Sequence, residues 1–230
     1  TPHVLSRRQM LTRTAHATAA LALAAQVAPL LAAPDQRGFK IGACDWNLGK
    51  TASPAALDVA KEIGLDGVQV SLGTAANRMH LRQPEIQRAY LEASRRTGVA
   101  IASLAIGELN NIPLKSDPVA AIWVHDSIAV LQALGVRLVL IAQFFKGELK
   151  DDKVGTDRTV ELLKELAPRA EKAGVILALE NYLSAEENLA ILDRVGSPAV
   201  QVYYDVGNST DKGYDIYKEI RLLKGKVCEF

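Results

Sequence analysis

From Phe39 onward the chain alternates short, strongly apolar runs with longer stretches whose apolar residues recur at helical spacing. KIGACDW (40–46), GVQVSL (67–72), AIASLAI (100–106), RLVLIAQF (137–144), ILALEN (176–181), VQVYYDV (200–206) and KVCEF (226–230) read as strands. The first helix opens at Ser53-Pro54, a serine N-cap followed by proline in the first turn. Further helices are predicted over 84–97, from about Asp117 to Leu134, and over 156–173, 185–195 and 214–223. Gly98, Gly135, Gly174, Gly196 and Gly225 follow them, as residues suited to helix ends. Seven strands alternating with six helices imply a parallel sheet with crossover helices.

Two architectures share that pattern. A doubly wound, nucleotide-binding sheet carries a glycine-rich turn after an early strand. Here the corresponding turn is DWNLGKTASP, which holds neither a dinucleotide fingerprint nor a P-loop. A repeat of roughly 30–40 residues with polar residues at several strand ends fits a (β/α)8 TIM barrel better. The expected fold over 39–230 is therefore an incomplete TIM barrel, with its last strand and two helices missing.

Composition changes this picture at the N-terminus. The 230 residues are 49% hydrophobic and 23% charged, a globular balance. Residues 6–34 depart from it, with Ser6-Arg7-Arg8 and Leu11 ahead of an Ala/Leu-rich stretch lacking any acidic residue. Residues 1–34 resemble a twin-arginine export signal, which implies a periplasmic or exported protein. That route carries folded proteins, often with a cofactor in place. The alternative, a membrane anchor, is opposed by Thr18, Gln26 and Pro29 inside a short apolar run. Without residues 1–34 the chain carries a net charge of −2. A near-neutral body has no electrostatic footprint for nucleic acid. Cys44 and Cys228 both lie in apolar strand-like runs and are expected as buried thiols rather than a disulfide.

A TIM barrel places its chemistry where strands end. Those ends carry Asp45-Trp46-Asn47, then Ser71, Asn77 and His80, then Glu108 to Asn111, then Gln143 and Lys146, then Glu180-Asn181, then Asp205 and Asn208. Strand alternation puts Ala178 with Glu180, and Tyr203 with Asp205, on shared faces. If those faces point inward, two carboxylates from adjacent strands converge, and they repel unless one is protonated or a cation lies between them. A divalent metal with oxygen ligands is the economical solution. The competing reading has each carboxylate satisfied separately by loop amides or lysines.

The stretch LALENYLSAEENLAILDRVGSPAVQVYYDVGNS, and more weakly KIGACDW, resembles the xylose-isomerase-like TIM-barrel superfamily of sugar (phosphate) isomerases and epimerases, over Phe39 to the end. The resemblance implies that Glu180 and Asp205 are metal ligands and that Glu180 also takes a proton from substrate. The metal would be Mn, Mg, Co or Zn. The family adds a histidine at the seventh strand end and a glutamate at the eighth, for which this sequence has no counterpart. A fragment, a degenerate copy, or a barrel completed by a partner chain would each account for that, and an open barrel is expected to be poorly stable.

The implied activity is isomerisation or epimerisation of a small sugar by proton transfer next to a carbonyl, through a metal-bound enediolate. Alternatives on the same barrel are a metal-dependent 3-keto-sugar lyase, hydrolase or dehydratase, or a non-catalytic periplasmic sugar-binding module. Candidate substrate contacts are Trp46, His80, Glu108, Asn181 and Asn208. Each has a plainer reading: His80 as a solvated loop histidine, for example, or Trp46 as packing at the barrel rim. Glu186 is assigned to the first turn of a helix, where it complements the dipole. A homo-oligomer is left open.

Overall fold

The structure is a computed structural model, and it describes residues 38–230. The export signal expected over 1–34 lies outside the described residues. The folded unit spans Ile41–Phe230. Its strands are β1 (Gly42–Cys44), β2 (Gly67–Ser71), β3 (Ala100–Ile106), β4 (Leu138–Gln143), β5 (Ile176–Asn181), β6 (Val200–Tyr203) and β7 (Val227–Glu229). The connecting helices are α1 (Ala56–Ile63), α2 (Pro84–Thr97), α3 (Pro118–Leu134), α4 (Lys153–Ala173), α5 (Ala185–Val195), α6 (Val206–Asp211) and α7 (Ile216–Leu222). The strands form one parallel sheet in sequence order, β1 to β7. This is the incomplete (β/α)8 barrel that the alternation predicts.

Two elements differ from expectation for local reasons. Helix α4 begins at Lys153 rather than 156, because the Asp152 side chain caps it by accepting from the Gly155 amide. The sixth crossover holds two short helices instead of one. Asp205 caps α6 directly at the strand end, Gly213 then turns the chain at φ +77°, and Asp215 caps α7. Among the described residues no helix is long and apolar enough to cross a membrane.

Strand alternation sorts the core into two layers. Leu104, Ile106, Val139, Ile141, Leu177, Leu179, Val200 and Val202 face the helices and pack in one large cluster with residues such as Leu57, Tyr90, Val124, Leu163 and Ile191. The opposite face carries a small cluster of Ala105, Leu140, Ala142 and Phe144, flanked by Tyr182 and Tyr203. Below it runs a polar chain. Cys44 Sγ donates to Gln69 Oε1 at 3.2 Å, Gln69 Nε2 to Ser103 Oγ at 2.9 Å, and Ser103 Oγ to Glu229 Oε1 at 3.3 Å. In a flat sheet, four spacings of about 4.8 Å would hold β3 and β7 roughly 19 Å apart. The Ser103–Glu229 bond therefore requires the sheet to be rolled, with these residues on its concave side.

Both thiols are free, Cys44 bonded to Gln69 and Cys228 donating to the Val202 carbonyl at 3.3 Å. Burial, reinforced by the Glu180, Asp45, Glu229 and Asp205 charges, pushes the Cys44 thiol up to about 12. The acids at the strand ends therefore act on β1 from across the roll.

Candidate active site

The register pairs Ala142 on β4 with Glu180 on β5, and Leu140 with Ala178, so Glu180 continues the concave face. Asp205 lies two residues beyond Tyr203, the last residue of β6, and serves as the N-cap of α6. Asn208 holds it at both oxygens: its amide N–H donates to Oδ1 at 3.0 Å and its Nδ2 to Oδ2 at 2.8 Å. Glu180 lines the same cavity as this anchored carboxylate, close enough for the Asp205 charge to act on it. Burial first, then the Asp205 charge and the contact between the two acids, push the Glu180 carboxyl up to about 8. Each acid thus opposes ionisation of the other unless a cation lies between them.

Above the pair opens a cavity of about 430 Å³ at the C-terminal ends of the strands. Trp46 and Asn208, expected as substrate contacts, both line it together with Glu180 and Asp205. Trp46 is positioned from below by its neighbour Asp45, which is fully buried. Asp45 accepts from the Ser71 amide at 2.8 Å, the Ser71 hydroxyl at 2.7 Å and the Ala52 amide at 3.0 Å. Burial raises its carboxyl above the usual range while these donors pull it back. The clamp ties the loop after β1 to the end of β2.

The structure does not bring Asn181, Glu108 and His80 to the cavity wall. Asn181 takes the strand face opposite to Glu180, as a period of two requires. Its Nδ2 donates to Asn188 Oδ1 at 3.0 Å and to Gln143 Oε1 at 3.3 Å, while its Oδ1 accepts from the Leu183 amide at 3.0 Å. It organises the turn into α5. Glu108 lies on the short 3-10 turn Gly107–Asn110 and joins two loops, accepting from the Ala75 amide at 3.2 Å and from Asn111 Nδ2 at 3.3 Å.

His80 is drawn inward by a tight loop after β2. There Asn77 Oδ1 accepts from the Thr74 and His80 amides at 2.8 and 3.3 Å, and His80 Nε2 is buried without a hydrogen-bond partner. Gly73, at φ +143°, allows this closure, since a Cβ there would come within 2.6 Å of Met79 Cα. Glu186 forms an exposed ion pair with Lys218 at 2.8 Å.

Sequence reasoning missed the aromatic walls. Phe144, Phe145 and Tyr182 line the cavity with Asn110. The signal was available, because Phe144 follows Ala142 and Tyr182 follows Glu180 by two residues on the inward face. The Phe144 and Tyr182 rings meet at 4.6 Å between centroids, tilted by 59°. Asn110 Oδ1 accepts from the Phe144 amide at 3.0 Å, and the Tyr214 hydroxyl donates to the Tyr182 carbonyl at 2.9 Å. Phe145 is 77% exposed and held at φ +50°, a conformation that bulky residues rarely adopt.

Two carboxylates at one cavity, one of them anchored and the other opposed in its ionisation by burial and by its neighbour, suit a hard divalent cation, which would neutralise both. Among the described residues no group of three or more His, Cys, Asp or Glu side chains is placed to hold a metal. The residues that would hold one are Glu180 and Asp205.

A family model described as xylose isomerase-like TIM barrel matches residues 57–228. A 2-epi-5-epi-valiolone 7-phosphate 2-epimerase from Actinoplanes sp. is 29% identical over 177 residues. That match covers 76% of this chain, which spans only 65% of the epimerase's length. A D-psicose 3-epimerase from Clostridium cellulolyticum H10, solved with D-tagatose, superposes with a TM-score of 0.68 at 20% identity. It covers 82% of this chain and 71% of its own. A xylose isomerase-like TIM barrel protein from Mycobacterium smegmatis in complex with magnesium gives 0.65 at 16% identity, covering 82% and 72%. With most of its residues matched to one family model and its strand ends arranged as described, the chain belongs to the xylose isomerase-like TIM barrel family.

Proposed function

We propose that the protein is a divalent-metal-dependent epimerase or isomerase of a small sugar, moving a proton at a carbon next to a carbonyl. The observation that carries this is the convergence of Glu180 and Asp205 on one open cavity. The epimerases among its relatives and the magnesium complex of a structural neighbour support it.

A metal held by the two carboxylates would supply Lewis acidity to the substrate carbonyl and an adjacent hydroxyl. Asp205, fixed by two bonds from Asn208, keeps a constant position. Glu180 stands on a paired strand, where its carboxylate can accept the proton of the activated carbon. The electrons of that C–H bond pass to the carbonyl oxygen, giving an enediolate. A proton taken from solvent on the opposite face yields the epimer, and one delivered to the former carbonyl carbon, with the adjacent hydroxyl proton passing to the former carbonyl oxygen, yields the isomer. The partly apolar cavity wall limits water around the exchanging proton.

Solvent exchange tests this directly. The protein, supplied with magnesium and a ketose in D2O, should wash deuterium into the position next to the carbonyl, followed by NMR. Glu180→Gln should slow the exchange by about 100-fold or more, the usual contribution of a general base. Exchange that is unaffected in Glu180→Gln and in Asp205→Asn sinks the assignment. The twin-arginine pattern at Arg7-Arg8 supports action outside the cytoplasm.

A further inference from the structure

We infer that the cavity takes an uncharged sugar ring, laid against aromatic side chains, and discriminates against phosphorylated sugars. This deepens the epimerase reading and rests on it. Trp46 reaches the cavity from the end of β1, while Phe144, Phe145 and Tyr182 reach it from the ends of β4 and β5. A sugar ring has an apolar C–H face that packs well on such rings, while its hydroxyls need only a few polar groups. Asn110 and Asn208 bring neutral amides to the same cavity.

The walls are held for this purpose. The buried Asp45 clamp sets the Trp46 loop, and Asn110 holds the Phe144 amide. Phe145 stands solvent-facing at the cavity with a φ of +50°, a conformation bulky residues rarely adopt. The charge pattern points the same way. A phosphate ester brings between one and two negative charges that need side-chain cations to meet them. Among its described lining residues there is no lysine, arginine or histidine. Lys212 approaches this wall, but its Nζ sits over the Tyr182 ring at 4.1 Å from the centroid.

Affinities of the full chain for D-tagatose and D-fructose, against D-fructose 6-phosphate and D-ribulose 5-phosphate, test the inference with magnesium present. Calorimetry on the unmodified protein gives the ratio. Tryptophan emission locates the site, because the chain has only Trp46 and the buried Trp123. The free ketoses should bind at least tenfold more tightly than the phosphates and change the emission, and Trp46→Phe should abolish that change. Equal or tighter binding of the phosphates overturns the inference and leaves the epimerase reading standing. Failure of all four sugars to bind overturns it as well. Tight ketose binding without deuterium exchange supports the inference and overturns the epimerase reading, so the two failures are distinct.

Discussion

Replacing Glu180 by glutamine in metal-free protein isolates the electrostatics beneath the cavity. Glu180 ionises at about 8 instead of the ordinary 4.5, because burial and the neighbouring Asp205 both oppose its charge. In the unfolded chain it ionises near the ordinary value. Between the two, the unfolded state binds fewer protons than the folded one, so stability falls as pH rises. The protonated acid's contribution is complete below pH 4.5 and lost by about pH 8. At 1.36 kcal/mol for each tenfold change in proton affinity, the whole span corresponds to about 5 kcal/mol. That is an upper bound, since the side chain retains some contact with solvent.

Glutamine keeps the size and polarity of the side chain but cannot ionise. Urea unfolding followed by circular dichroism, with chelator present, should therefore give similar stabilities for the parent and Glu180→Gln near pH 4.5. At pH 9 the variant should be the more stable by roughly 2–5 kcal/mol. Magnesium should recover the parent at pH 9 and leave the variant nearly unchanged, because a cation favours the ionised pair. Parallel stability profiles for the two proteins from pH 4.5 to 9 would refute the reasoning.

Three further outcomes are expected. Ser184→Ala removes half of a capping box in which Ser184 Oγ accepts from the Glu187 amide at 3.3 Å, and it should lower stability by about 1 kcal/mol, read from the urea midpoint. Gly73→Ala places a Cβ 2.6 Å from Met79 Cα and from Asn77 Oδ1. It should cost about 1–3 kcal/mol and loosen the loop after β2, seen as faster amide exchange over 74–80. Substituting Arg7→Lys with Arg8→Lys should leave the protein in the cytoplasmic fraction of an expressing cell with a functional twin-arginine pathway. Unchanged periplasmic recovery would remove the export assignment.

What the sequence determined by itself was local or periodic. Apolar runs bounded by caps and glycines set the order of strands and helices, and a period of two assigned Glu180 and Asn181 to opposite faces, although both were expected as site residues. The same period puts Phe144 and Tyr182 on the inward face, two residues beyond Ala142 and Glu180, but sequence reasoning, drawn to polar strand ends, missed these aromatic walls. The tertiary structure decided what depends on distant segments meeting. Rolling the sheet joined Ser103 to Glu229 and brought Trp46 into one cavity with Glu180, Asp205 and rings from β4 and β5. It turned His80 inward and spent Glu108 on tying two loops together. Alternation and capping act over a few residues and are written in the local pattern. The curvature of a sheet, and the company each strand end keeps across it, come from packing summed over the whole chain.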